Sequence, residues 1–169
     1  MASISRGAIL NVIVIAILVA ALPGAIWRLI QTGDPYLFTQ RFFVEMWARL
    51  SGPGKMRFVL QPTVAILLGA RDGAKDARTG LPLFLWALAF QGTYRRELLR
   101  SALASVRNLV AVAILFDIVS QFLIFREIHP GAALLLGPVL VALPYALSRA
   151  LTNRIVGRRK RQEPAARAS

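Results

Sequence analysis

Apolar residues come in long uninterrupted blocks along this chain, not in the alternation of a half-buried strand or the narrow stripe of a soluble helix. The first block covers 9–30 and is broken only by Asn11, Pro23-Gly24 and Arg28. Arg6 ahead of it gives the segment a likeness to a signal peptide. The run is long, however, and no small-x-small cleavage site follows it, so an uncleaved membrane span is expected. Thr32-Gly33-Asp34-Pro35 then stops the helix, as Gly and Pro together should.

Residues 36–50 predict a different helix. At about 100° per residue, Arg41, Glu45, Ala48 and Arg49 share one sector, and Phe42, Phe43, Val44, Met46, Trp47 and Leu50 fill most of the rest. Arg41–Glu45 and Glu45–Arg49 are i,i+4 pairs. This is the pattern of an interfacial amphipathic helix lying flat with its apolar side in the bilayer. A helix with that face packed on other protein would look the same. Ser51-Gly52-Pro53-Gly54 is a turn.

The segment 56–79 is apolar in its first half and charged in its second. Pro62 suits a first turn, which puts the regular helix at 62–79, and Gly80 with Pro82 ends it. Ala65, Gly69, Gly73 and Ala77 recur every fourth residue, and such a stripe of small side chains lets another helix approach closely. Arg71, Lys75 and Arg78, interleaved with Asp72 and Asp76, read as a solvated helix end. The apolar segment 81–91 is too short to cross ~30 Å of hydrocarbon. With 56–79 it forms a short re-entrant or interfacial helical pair.

Gly92-Thr93 opens a long helix with Thr93 as N-cap, and His129-Pro130-Gly131 ends it; 102–125 makes a full span. Residues 132–151 return through the membrane, with Gly137-Pro138 and Pro144 as bends. The expected fold class is an all-α integral membrane protein. It has three full spans (9–30, 102–125 and 132–151) in one membrane-embedded domain over 1–153, four spans being the alternative. Residues 154–169 form a basic, disordered tail carrying Arg158, Arg159, Lys160 and Arg161.

The net charge of +13 would suit nucleic acid if the basic residues formed a soluble face. They flank apolar runs instead, where they set orientation and meet anionic lipid. The lipid bilayer and its anionic lipids, not nucleic acid, are therefore the expected partners, with Arg158, Arg159, Lys160 and Arg161 as the contact. The absence of cysteine excludes disulfides, thiolate metal sites and cysteine nucleophiles, and one histidine, His129, excludes bis-histidine haem and His-rich zinc sites. No phosphate loop, Ser/His/Asp set or metal-ligand spacing is present, so neither an enzyme nor a cofactor is expected. Abundant alanine and an excess of arginine over lysine fit a GC-rich bacterial coding bias.

The basic tail puts the C-terminus in the cytoplasm and 126–129 outside. If 31–101 stays on the cytoplasmic side, only Arg6 and Arg126 lie outside. If 56–70 crosses, Arg28, Arg41, Arg49, Lys55 and Arg57 are stranded there. Charge bias thus predicts three spans with the N-terminus outside, with Arg6 pulling the other way.

Arg96, Arg100, Arg107, Asp117 and Gln121 fall within roughly 100° of one another on the long helix. The arginines can extend toward the cytoplasmic interface. Asp117 sits near mid-span, about 12 Å by helical rise from the outer end, where a carboxyl must be neutral, paired or wet. One possibility is an ion- or proton-carrying site at Asp117 with Gln121 as second ligand and Arg107 on the same polar face. The other is a hydrogen bond from Asp117 to the Leu140 carbonyl, which Pro144 leaves without its helical donor.

The stretch Met56-Arg57-Phe58-Val59-Leu60-Gln61-Pro62, with Gly69-Ala70-Arg71-Asp72-Gly73-Ala74-Lys75-Asp76-Ala77-Arg78-Thr79-Gly80-Leu81-Pro82, resembles a motif in an uncharacterised family of small bacterial inner-membrane proteins. The final hairpin, with Pro144-Tyr145 and Asn153-Arg154-Ile155, is similar too. The resemblance covers roughly the last two thirds of the chain. It implies a multi-pass protein of the bacterial inner membrane and assigns no activity and no functional residue. The expected role is a non-enzymatic membrane subunit or scaffold within a homo-oligomer or larger complex. The alternative is a homo-oligomeric channel or a proton- or cation-coupled carrier using Asp117 and Gln121.

Overall fold

The computed structural model describes residues 6–33, 35–52 and 54–167, with side chains described as far as Arg158. These residues form six helices and no strand: α1 Arg6–Thr32, α2 Gln40–Ser51, α3 Arg57–Thr79, α4 Phe84–Phe90, α5 Gly92–Phe125 and α6 Pro130–Arg167. Three of them, α1, α5 and the Pro130–Arg158 part of α6, are long and apolar enough to cross a membrane. The chain is an all-α, multi-pass membrane protein with shorter amphipathic helices between its first and second long spans.

Local signals set most boundaries. The Thr39 hydroxyl caps α2 by accepting the Phe42 N–H at 3.3 Å. Arg126, at φ 56°, takes the left-handed turn that ends α5, and its N–H donates to the Phe122 carbonyl. Gly80, at φ 75°, does the same after α3. Two boundaries differ from the expectation. Helix α3 begins at Arg57, so Pro62 lies inside it and not in its first turn. Helix α6 runs on to Arg167 in place of a disordered tail, because its Arg, Lys, Gln, Glu and Ala residues are good helix formers.

The expected single domain resolves into two compact units, one of residues 1–61 with 108–140 and the other of 62–107 with 141–169. In the first, α1 lies parallel to α5. Gly7 abuts Asn108 at one end, and Arg28 reaches Glu127 at the other. Val14, Ala111, Ile114, Ile118 and Ala133 form the apolar core between them. The first two spans therefore run parallel, not antiparallel as the expected N-terminus-outside arrangement requires. Charge bias takes Arg28 and Arg41 as bare positive charges, whereas Glu127 pairs with both.

In the second unit, the glycines of the small-residue stripe let α3 meet α6 backbone to backbone. A Cβ on Gly69 would strike the Tyr145 carbonyl oxygen, and one on Gly73 the Arg149 carbonyl oxygen. Ala65 is fully buried on the same face and Ala77 half-buried. The approach is therefore made within this chain.

Helices α2 and α3 are apolar outside and polar or small inside. On α2, Phe43, Val44 and Trp47 are exposed while Glu45 and Arg49 are buried. On α3, Val59, Leu60 and Leu67 are exposed while Arg57, Gln61 and Asp76 are buried. A lipid-facing helix can carry this pattern, since lipid tails are as apolar as leucine.

Candidate functional site

The first unit holds a buried polar cluster around Asp117. One Asp117 oxygen lies 2.7 Å from Arg57 Nη2; the other lies 3.6 Å from Arg49 Nη1 and accepts a 2.6 Å hydrogen bond from Gln121 Nε2. Gln121 Oε1 in turn accepts the backbone N–H of His129 at 2.6 Å, which ties the α5–α6 corner back to the helix. Asp117 and Gln121 thus come together as their spacing suggested, but the partners of Asp117 are arginines and not the Leu140 carbonyl. The arginines arrive because α2 turns its polar sector inward. Gly54, at φ 89°, then brings the chain against Ser120, where a Cβ would sit 2.7 Å from Oγ. Arg107 is not part of this cluster: with Arg96, Arg100, Leu99 and Leu103 it lines a shallow groove on α5.

Further contacts continue the cluster toward the end of the unit. The Tyr36 hydroxyl donates to Glu45 Oε2 at 2.5 Å and accepts from Arg49 Nη2 at 2.7 Å. Arg41 donates to Glu45 at 2.6 Å and to Glu127 at 3.0 Å, and Arg28 donates to Glu127 at 2.7 Å. Burial and the bond to Glu45 push the Tyr36 hydroxyl far above its ordinary range. Burial works to raise the Glu127 carboxyl, but Arg41 and Arg28 outweigh it and hold the group below its usual value. The His129 imidazole stacks on Tyr36 at 3.6 Å between centroids. Burial drives its pKa down to about 4, so it is neutral near pH 7. Beside this pair is a cavity of about 400 Å³ lined by Arg28, Leu29, Tyr36, Leu37, Arg41 and His129 among others.

The second unit has its own cluster. Arg149, 1% exposed, holds Asp76 with two bonds, Nε to Oδ2 at 2.7 Å and Nη2 to Oδ1 at 3.0 Å. Its Nη1 donates to the Tyr145 hydroxyl at 2.9 Å; that hydroxyl and Ser105 Oγ both donate to Asp72 Oδ2. The Phe84 ring lies 4.5 Å beneath the guanidinium. Asn153 Nδ2 donates to the Leu81 and Pro82 carbonyls. Asp72 and Asp76 therefore do not belong to a solvated helix end, although Arg71, Lys75 and Arg78 are exposed as expected.

Arg149 and Tyr145 were absent from the sequence candidates. A signal existed, because Arg149 falls inside the expected last span and a charge at that depth needs a partner. The stretch from Asp72 to Pro82 and the hairpin residues Tyr145 and Asn153 carried the family resemblance, and here they bond to each other. In the basic tail, Arg158 is exposed, while the side chains of Arg159, Lys160 and Arg161 lie outside the described residues. Among the described residues no group of His, Cys, Asp and Glu is arranged to hold a metal ion.

No protein-family model, curated protein or solved structure matches the chain.

Proposed function

We propose that the chain is a non-enzymatic membrane subunit or scaffold, seated in the bacterial inner membrane with its C-terminus cytoplasmic, that assembles with copies of itself or with other membrane proteins. The observation that carries this reading is the ion pairing around Asp117. Both carboxylate oxygens face arginines, and both ends of the Gln121 amide are bonded, so these polar side chains hold helices in place. The parallel α1 and α5 support the orientation. They put Arg6 at the same end of its helix as Arg95, Arg96 and Arg100 are of theirs, which makes that side basic.

Native mass spectrometry of the protein extracted with its lipid tests the assignment. Foreign polypeptides at fixed stoichiometry, or a defined homo-oligomer without ion flux, are the expected results. A monomer with no bound protein would overturn it.

A second reading, a homo-oligomeric channel or proton- or cation-coupled carrier, draws on one observation. A string of polar contacts runs from the partly exposed Glu127 through Arg41, Glu45 and Arg49 to Asp117. Flux through reconstituted wild type that is lost in Asp117→Asn, with assembly intact, would establish it in place of the scaffold.

A further inference from the structure

The cavity of the first unit is walled by the end of α1, the start of α2 and the start of α6, with Arg28 and Arg41 among its lining residues. These two arginines begin an ion-pair chain that runs away from the cavity, in which, among the described residues, four arginines (Arg28, Arg41, Arg49 and Arg57) meet three acids (Glu45, Asp117 and Glu127), a surplus of one positive charge. Arg28 donates to Glu127 and to the Gly24 and Ile128 carbonyls, and Arg41 to Glu45 and Glu127, yet a guanidinium has five N–H groups, so each keeps two or more to spare. His129, 8% exposed, adds an Nδ1 with no hydrogen-bond partner. An acceptor-rich anion can take up the spare guanidinium N–H groups.

The rest of the lining is apolar, with Ala25, Leu29, Leu37 and Ala132 contributing. About 400 Å³ falls in the roughly 300–1,000 Å³ range of sites for organic ligands, well beyond what an inorganic anion fills. The cavity also sits where α1 ends and α6 begins, at the ends of two candidate spans. That is the depth at which lipid headgroups meet acyl chains.

We infer that this cavity binds an anionic phospholipid, its phosphate held by Arg28 and Arg41 and the start of its acyl chain lying against Leu29 and Leu37. The site is independent of the scaffold assignment and of the basic tail. The ligand's phosphate chemistry is shared with free phosphate, so the test separates the two.

Purified protein is delipidated in mild detergent and given phosphatidylglycerol, phosphatidylcholine or inorganic phosphate. Retention is read by native mass spectrometry and stabilisation by melting temperature. Wild type should retain phosphatidylglycerol about tenfold better than phosphatidylcholine. Arg41→Gln should lose about fivefold in phosphatidylglycerol retention, the worth of one surface-level cation. Leu29→Trp, which fills the cavity from its exposed side, should lose as much without altering charge. Arg126→Gln removes an exposed arginine outside the cavity lining and should leave retention unchanged. Equal retention of the two lipids by wild type would overturn the site, as would an equal loss in Arg126→Gln. A rise in melting temperature with inorganic phosphate matching that with phosphatidylglycerol would overturn the lipid as ligand.

Discussion

The Arg28 guanidinium lies 2.7 Å from the Glu127 carboxylate, so the C-terminal ends of α1 and α5 lie together. The chain thus leaves α1 at one end of α5 and enters α5, at Gly92, from the other. Residues 33–91 must travel the length of that helix, which is about 50 Å by helical rise.

A labelling experiment checks this course. The chain has no cysteine, so single introduced cysteines report without background. Thr32→Cys and Arg126→Cys should react with an impermeant thiol reagent from one side of the membrane, and Arg154→Cys from the opposite side. Thr32→Cys reacting from the same side as Arg154→Cys would refute the parallel packing of α1 and α5.

Asp117 should resist even conservative replacement. Its carboxylate sits between two buried guanidiniums, and Asp117→Asn keeps the shape while removing the charge they face. Breaking one side of a buried pair costs about 3–5 kcal/mol, and that loss of unfolding free energy in detergent is expected here. Adding Arg57→Met to Asp117→Asn should recover part of it. A single mutant as stable as wild type would show that the pair is not a structural tie.

Stability should fall with mild acid through His129. Its pKa is depressed from 6.5 to about 4 by burial, with Arg28 and Arg41 adding to the effect and Glu45 and Glu127 opposing it. The unfolded chain therefore binds a proton that the fold refuses between those values. Stability is complete above pH 6.5 and declines by up to about 1.4 kcal/mol per unit as the pH drops toward 4. His129→Phe keeps a ring against Tyr36 and should flatten that slope in melting temperature. An unchanged slope would assign it to other groups.

Gly73→Leu should be far worse than Leu67→Ile. A Cβ at Gly73 meets the Arg149 carbonyl oxygen and Cα, so α3 would have to move off α6 and loosen the Asp76–Arg149 bonds. Overpacking alone costs about 1–3 kcal/mol, and the buried pair adds to it. Leu67 is 65% exposed and should tolerate the change within about 0.5 kcal/mol. Equal melting temperatures for the two variants would show that the close approach carries no stability.

The long spans were legible because hydrocarbon thickness demands long apolar runs, and 9–30, 102–125 and 132–151 supply them. The shared face of Asp117 and Gln121 followed from helical spacing alone. What spacing could not supply was which residues come from elsewhere. Arg49 and Arg57 are far from Asp117 in sequence, and a count of positive charges by side cannot tell a bare arginine from one closed on a carboxylate. That is why charge counting predicts an antiparallel course for α1 and α5 where the two helices are parallel. Helix α2 has the two faces that its amphipathic pattern predicts, with Phe43, Val44 and Trp47 exposed, but its polar sector meets charged partners inside the protein. Arg149 was passed over because its partner Asp76 lies 73 residues away, in a stretch whose alternating charges resemble a solvated helix end.

The polar interiors of α2 and α3 bear on the order in which this chain can be assembled. Arg49 and Arg57 are synthesised well before Asp117, and Asp76 well before Arg149. Helix α3 thus emerges carrying Arg57 and Asp76, whose partners Asp117 and Arg149 do not yet exist, and burying either charge alone would be costly. Helix α3 is expected to wait at the membrane surface until α5 and α6 are made. A ribosome stalled just before Asp117 would therefore hold α3 outside the hydrocarbon, and release to full length would let it dock. The expected consequence is insertion in two stages, with α3 docking only once Asp117 and Arg149 have been made.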